Sequence, residues 1–371
     1  MLAVLVVGIL FTVLTLTLAG VIPAWMQVDE AVRPLASRYF FILYTPMLFR
    51  AATIIFGTAL RATGDTKTPM RVGILVNLVN VILNVMMIFE TRTVTVFGIS
   101  LRLFGCGWGV IGAATASAIA FAVGGIYMTL VFWHHPVISP RGQKLRPDPE
   151  ILKPCLRVAL PNMMQRFGTT LGYVAFASMV NALGDVSTAA HTIANTVESA
   201  FYIPGFGMQT AAATLAGNAL GADDEPRMKQ LIRTLLPLEV ALMTVSGGLL
   251  FALAPSMVTI FTDDPAVIAL GSAVLRMVAV SEPFYGVSII LEGILLGIGN
   301  TLTPFKFNLL GMWGVRIIGT WVCTQVLDGT LCAAWGCMIA HNMLLFVLFV
   351  IFYRTGKWNP FRAIKNNKLP L

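Results

Sequence analysis

Ten stretches of mostly apolar residues, each close to the roughly 20 needed to cross about 30 Å of hydrocarbon as a helix, follow one another along this chain. They lie near 1–25, 37–60, 70–90, 108–133, 158–182, 189–216, 234–260, 267–297, 305–327 and 330–353. In lipid every backbone amide and carbonyl must be satisfied internally, so stretches of this length are expected to be helices. With 57% hydrophobic and 11% charged residues and a mean hydropathy of +0.81, against about 25% charged in a soluble domain, the expected class is an all-α polytopic membrane protein. Residues 1–20 are apolar like a signal peptide, but no Lys or Arg precedes them and no clear small-residue cleavage pattern follows. Met1 is therefore read as the start, or the interior, of a spanning helix.

The connector Gly64-Asp65-Thr66-Lys67-Thr68-Pro69 recurs in degenerate form as Gly299-Asn300-Thr301-Leu302-Thr303-Pro304. Each is a helix–turn–helix joint, in which Gly ends one helix, Thr is expected to cap the next, and Pro fits its first turn. At the same offset Ile54-Ile55 falls on Ile289-Ile290, Leu60 on Leu295, Leu75 on Leu310 and Ile82 on Ile317, which implies a duplication. An even number of helices separates the copies, so the repeat is parallel. The expected organisation is an N-terminal lobe over 1–140 with four helices, a linker over 141–157, a six-helix C-terminal lobe over 158–353 and a tail over 354–371. By repeat symmetry roughly 75 to 80 residues are missing at the front, so a twelve-helix plan with ten helices present is expected. The alternative is a naturally short homologue.

Every lysine lies on one alternate set of loops, with Lys67, Lys144, Lys153, Lys229, Lys306 and the tail lysines among them. The other set carries the acidic turns Asp29-Glu30 and Asp263-Asp264. Cytoplasmic loops are enriched in Lys and Arg, which puts the first set and the C-terminus in the cytoplasm of a plasma-membrane protein. The formal net charge of +8 then faces anionic lipid, and no nucleic acid is required to explain it. The five cysteines show no CxxC spacing, and neither a metal site nor a disulfide framework is expected.

No nucleotide-binding, hydrolase or zinc-protease signature occurs, so no enzyme is expected. Acids within apolar segments stand out instead, because they are costly in a bilayer and mark ion or substrate paths. Glu198 precedes Phe201-Tyr202-Ile203-Pro204-Gly205-Phe206-Gly207, where Pro and two Gly are expected to loosen the helix. Glu282 is followed directly by Pro283 inside 267–297. Both are candidate cation-coupling sites, the alternatives being a carboxyl held for packing at Glu198 and a structural pair with Arg276 at Glu282. Glu239 and Glu292 are placed nearer the cytoplasmic end and are expected to snorkel. Gln165-Arg166 follows Pro161, with Arg166 a possible charge partner for Glu198 or Glu282. Asn77, Asn80 and Asn84 share one helix face, as cavity lining or as interhelical bridges. Tyr202, Phe201, Met163, Met164 and Met208 suit an apolar cavity or ordinary packing. His191 and His341 lack companions at metal-ligand spacing.

Four separated motifs, Arg61 to Pro69, Ala190-His191-Thr192-Ile193-Ala194, Glu198 to Ala222, and Gly311-Met312-Trp313-Gly314-Val315-Arg316, together resemble the multidrug and toxic compound extrusion family. The resemblance implies two six-helix lobes around a V-shaped central cavity. It also implies export of small organic cations or amphipathic drugs in exchange for sodium or protons, with no cofactor besides the transported ion. Glu198 and Glu282 match acidic positions of the eighth and tenth helices in such sequences. Where many relatives carry Glu in the seventh helix, this chain has Gln165. A monomer is expected, and the alternatives are a lipid-linked sugar or polysaccharide flippase and a non-transporting membrane protein.

Overall fold

The computed structural model describes residues 1–25, 29–96, 99–142 and 147–361. They fall into two compact units, Met1–Asp148 and Pro149–Leu371. All ten apolar stretches are helical. Among the described residues four helices are each long and apolar enough to cross a membrane, and two bent helix pairs also qualify when each is taken as one span.

In the first unit α1 (Leu2–Leu18), the short α2 (Ile22–Trp25), α3 (Arg33–Tyr44), α4 (Met47–Ala62) and α5 (Lys67–Ile88) are followed by strands β1 (Glu90–Val96) and β2 (Ile99–Cys106) and by α6 (Gly109–His134). Helices α3 and α4 form one bent pair at 43°, with the break at Pro46, whose ring nitrogen donates no hydrogen bond. Helix α6 packs against α3, α4 and α5. Phe56 and Phe132 stack at 4.2 Å within a core that includes Leu60, Val72 and Met128. The antiparallel hairpin, with Thr93 paired to Arg102, was not expected from sequence. Its Glu-Thr-Arg-Thr-Val-Thr-Val run alternates polar and β-branched residues, which suits a short strand beyond the helix ends.

The second unit contains α7 (Pro149–Asn181), α8 (Asp185–Gly221), α9 (Glu225–Thr259), α10 (Pro265–Ala279) and α11 (Glu282–Gly297). Next comes a continuous rod of α12 (Leu302–Leu309), a π-helical segment Leu310–Ile317, α13 (Ile318–Trp321) and a second π-helical segment Val322–Val326, and the unit ends in α14 (Leu331–Arg354). Helices α9 and α10 open on aspartates whose side chains accept the first free amides, Asp224 from Arg227 at 2.9 Å and Asp264 from Ala266 at 2.8 Å. The break expected near Pro204 does not occur, since α8 runs unbroken through it. It is found instead between α10 and α11, bent by 55°, where Pro283 cannot donate to the Ala279 carbonyl one turn back. One core gathers Phe176, Val197, Leu250, Leu275 and Trp335, and another Ile232, Ile290, Leu295 and Phe349. Ile74, Leu78 and Val81 on α5 and Val245 and Leu249 on α9 turn outward and exposed, as lipid-facing residues do.

The two connector copies are built alike. Gly64 and Gly299 take φ of 92° and 79°, left-handed conformations that glycine adopts without penalty. The amides of Asp65 and Asn300 donate to Leu60 and Leu295, closing each helix in the same way. The cap expected from threonine comes from the residue before it: Asp65 accepts from the Thr68 amide at 3.0 Å and Asn300 from the Thr303 amide at 3.3 Å, while Thr66 and Thr301 make no side-chain cap. A planar acceptor one bond longer than a hydroxyl reaches the free amide from one residue farther out.

Candidate functional site

His191, Asn195, Glu198, Tyr202 and Phe206 recur at helical spacing along one face of α8, and that face borders a cavity of about 520 Å³ within the second unit. Tyr173 and Phe176 of α7, Tyr285 of α11, Arg316 of the first π-helical segment and Asn342 of α14 complete its wall. Glu198 is buried, and its Oε1 accepts from the Tyr202 hydroxyl at 2.8 Å. Both residues lie on α8 one turn apart, so the pair is set by the helix itself. Tyr202 is fixed in turn by the Tyr285 ring, at 5.5 Å between centroids.

Arg316 supplies the cavity's cation. Its guanidinium lies 4.3 Å from the Phe176 ring centroid and 5.0 Å from that of Tyr173, and Nη2 contacts Met338 Sδ at 2.9 Å. The arginine therefore rests on aromatic faces and a thioether, ligands suited to its delocalised charge. Close approach of the π-helical rod to α7 holds it there: a Cβ on Gly172 would strike Met312, and Trp313 Nε1 donates to the Gly168 carbonyl at 3.1 Å. His191 sits edge-on between Phe176 and Trp335.

Glu282 does not line the cavity. It is fully buried at the α10–α11 break beside Glu198, and the Tyr202 hydroxyl lies close to its carboxyl but makes its hydrogen bond to Glu198. Among the described residues neither of its oxygens has a hydrogen-bond donor. Arg276 does not pair with it, lying over the Phe251 ring at 5.7 Å.

Gln165 is buried and joins a second polar cluster, donating from Nε2 to Glu292 Oε1 at 2.7 Å, with Asn308 reaching the same oxygen at 3.3 Å. Glu292 is thus held inside the unit and does not snorkel, and Arg166 is exposed beside this cluster, away from Glu198. Glu239 does not snorkel either: it is 0% exposed, pressed between Gly205 of α8 and Gly286 of α11. In the first unit Asn80 donates to Ser117 Oγ at 3.1 Å and accepts from Asn84, bridging α5 to α6, while Asn77 is exposed. Sequence reasoning did not bring Arg316, Asn195 or Asn342 to the site. The spacing from His191 to Glu198 could have signalled Asn195, whereas Arg316 meets Glu198's cavity only through tertiary packing.

The MatE family model matches residues 1–86 and 161–322. A probable multidrug resistance protein NorM of Thermotoga maritima is 27% identical over 351 residues, covering 95% of this chain and 73% of that protein. A probable multidrug resistance protein YpnP of Bacillus subtilis is 25% identical over 343 residues, covering 90% and 71%. Among solved structures, an outward-facing multidrug resistance MATE family transporter of the MOP superfamily superimposes with a TM-score of 0.85 at 18% identity, over 98% of this chain and 77% of that one. A MOP superfamily transporter from Pyrococcus furiosus superimposes with a TM-score of 0.84 at 18% identity and the same coverage. At such identity these structures show the fold, a helical multi-pass membrane architecture. The matched family model, which covers more than half of the chain, establishes that it belongs to the MatE family, the multidrug and toxic compound extrusion proteins that its motifs resemble.

Proposed function

We propose that this protein exports organic cations or amphipathic drugs across the plasma membrane in exchange for protons or sodium, with Glu198 and Glu282 as the coupling carboxylates. The observation that carries this reading is that Glu198 is the one acid on the cavity wall, amid aromatic rings. Such a wall binds a flat organic cation through ring faces and opposite charge. A proton or sodium ion arriving at Glu198 cancels its charge and weakens the cation's hold, and this differential affinity lets one ligand displace the other. Glu282 sits at a helix break with its carboxyl buried next to Glu198, so loading one acid changes the cost of charging the other. Tyr202 positions Glu198, and Gln165 positions Glu292. The drug-resistance names of the relatives support the substrate class. The C-terminus and the lysine-bearing loops face the cytoplasm in this reading.

Efflux of ethidium from cells carrying Glu198→Gln or Glu282→Gln tests it. Loss of efflux in either, with protein levels maintained, is expected, and undiminished efflux in both overturns it. Imposing sodium and pH gradients separately in proteoliposomes identifies the ion. A second reading, a flippase for anionic lipid-linked sugars, draws on Arg316 in the same cavity. It requires Arg316→Gln to abolish transport of such a lipid while Glu198→Gln spares it.

A further inference from the structure

Cys323 and Cys337 stand with their sulfurs 3.7 Å apart, in contact across the join between the second π-helical segment and α14. Both are half-buried free thiols. The backbone holds them there. Leu327 N–H donates to the Val322 carbonyl at 3.1 Å and Gly329 N–H to the Cys323 carbonyl at 2.8 Å, with Asp328 between them at φ 49°. A Cβ on Gly329 would lie 2.5 Å from the Cys323 carbonyl oxygen, so glycine is what allows this turn to close. On the other side, a Cβ on Gly319 would come within 3.2 Å of Cys337 Sγ. The missing side chain leaves the thiol its place.

We propose that Cys323 and Cys337 form a reversible disulfide site that staples the π-helical rod to α14. A disulfide needs its sulfurs at about 2.05 Å with Cβ atoms about 3.8 Å apart. The sulfurs, 3.7 Å apart, must still close on one another, which rotation of the two side chains brings about. The oxidant is an exchangeable disulfide. One cysteine loses its proton and attacks it, forming a mixed disulfide and releasing one thiol. The other cysteine, likewise deprotonated, attacks the mixed disulfide at the first cysteine's sulfur, forming the Cys323–Cys337 bond and releasing the second thiol. Two S–H bonds are lost from the protein, and the oxidant leaves as two thiols.

The staple closes beside the cavity wall. Met338, whose sulfur Arg316 contacts, is next in sequence to Cys337, and Arg316 lies on the same rod as Cys323. A π-helical segment closes i→i+5 hydrogen bonds and is found frequently at functional sites. The disulfide would pin the rod where it supports Arg316. The connector at 327–330 carries no Lys or Arg, which places this end of the unit, by loop charge, on the oxidising face of the membrane.

The full chain, purified in detergent, is treated with oxidised glutathione or with dithiothreitol, alkylated with N-ethylmaleimide, digested and analysed by mass spectrometry. Oxidation is expected to join the Cys323 and Cys337 peptides within one molecule and to leave Cys106, Cys155 and Cys332 alkylated. The thermal midpoint is expected to rise by a few degrees, to return with dithiothreitol, and to stay unchanged on oxidation in Cys323→Ser and Cys337→Ser variants that elute as single species. Separate glutathione adducts on the two cysteines, a link to any other cysteine, or a link without a change in midpoint would each overturn the proposal. The readouts need no transport assay, so they stand apart from the proposed function.

Discussion

The Tyr202 hydroxyl donates to Glu198 Oε1 at 2.8 Å, one turn along α8, at the edge of a cavity that also holds Arg316. A hydrogen bond to a charged group contributes about 1.5–3 kcal/mol. Tyr202→Phe keeps the ring packing on Tyr285 and removes only this donor. It is expected to shift the ion concentration giving half-maximal efflux by roughly tenfold, in whichever of the sodium and proton gradients drives transport. Midpoints that do not move in either gradient would rule out a coupling role for the pair.

Glu239 is fully buried and, among the described residues, neither of its carboxylate oxygens has a hydrogen-bond partner. Replacing such a group by an apolar side chain of similar length relieves a desolvation cost of about 1–3 kcal/mol. Glu239→Met is expected to raise the thermal midpoint of the purified protein. If it falls instead, Glu239 has a stabilising partner in solution.

Glu292 depends on Gln165 at 2.7 Å far more than on Asn308 at 3.3 Å. Gln165→Ala is expected to cost about 1–3 kcal/mol, against a smaller loss for Asn308→Ala. A double-mutant cycle of Gln165→Ala with Glu292→Gln, read by thermal unfolding, should return a coupling energy of about 0.5–3 kcal/mol. Simple additivity would show that the contact is not energetically significant.

Asp65 and Asn300 cap equivalent helices, but only Asp65 titrates. The Thr68 hydroxyl and then the Thr68 amide hold the Asp65 carboxyl below its usual range. A carboxyl depressed in the folded state contributes stability that is present above its unfolded pKa and is lost as pH falls through its folded pKa. Asp65→Asn should keep the cap, as Asn300 does, and should flatten the acid side of the stability profile, measured as thermal midpoint against pH. A variant whose acid-side slope matched the parent would remove Asp65 from that loss. At the neighbouring glycine, with φ of 92°, Gly64→Ala is expected to destabilise by about 1 kcal/mol. By contrast, Gly73 sits in a helix with open space around it, and Gly73→Ala is expected to stabilise.

Much of the local architecture was legible before any tertiary contact was known. The left-handed glycines of both connectors, the ten helical stretches and the placing of Glu198 and Tyr202 within one of them follow from residue types and short spacings. The break near Pro204 was misjudged because proline costs a helix one donor, and surrounding helices can support the remaining backbone. Here Ser246 of α9 donates to the carbonyl of Phe201, the residue after Ala200, whose own carbonyl loses its donor at Pro204, and ties this turn of α8 to its neighbour at 2.9 Å. The break at Pro283 survives because the turn at Ser281 closes α10 through hydrogen bonds from its amide and hydroxyl to the Val278 carbonyl, both at 2.8 Å.

The sequence by itself determined where the helical stretches lie, where the two glycine connectors turn and which stretches carry acids, since these depend on neighbours within about five positions. Only the tertiary structure decided which acid reaches a cavity. Glu198, Glu239, Glu282 and Glu292 all lie in apolar stretches, yet one lines a wall with Arg316, two are buried without a donor among the described residues, and one is bound by Gln165 and Asn308. The charge a buried carboxyl can bear is set by atoms within a few ångströms. In this fold those atoms belong to helices far away along the chain.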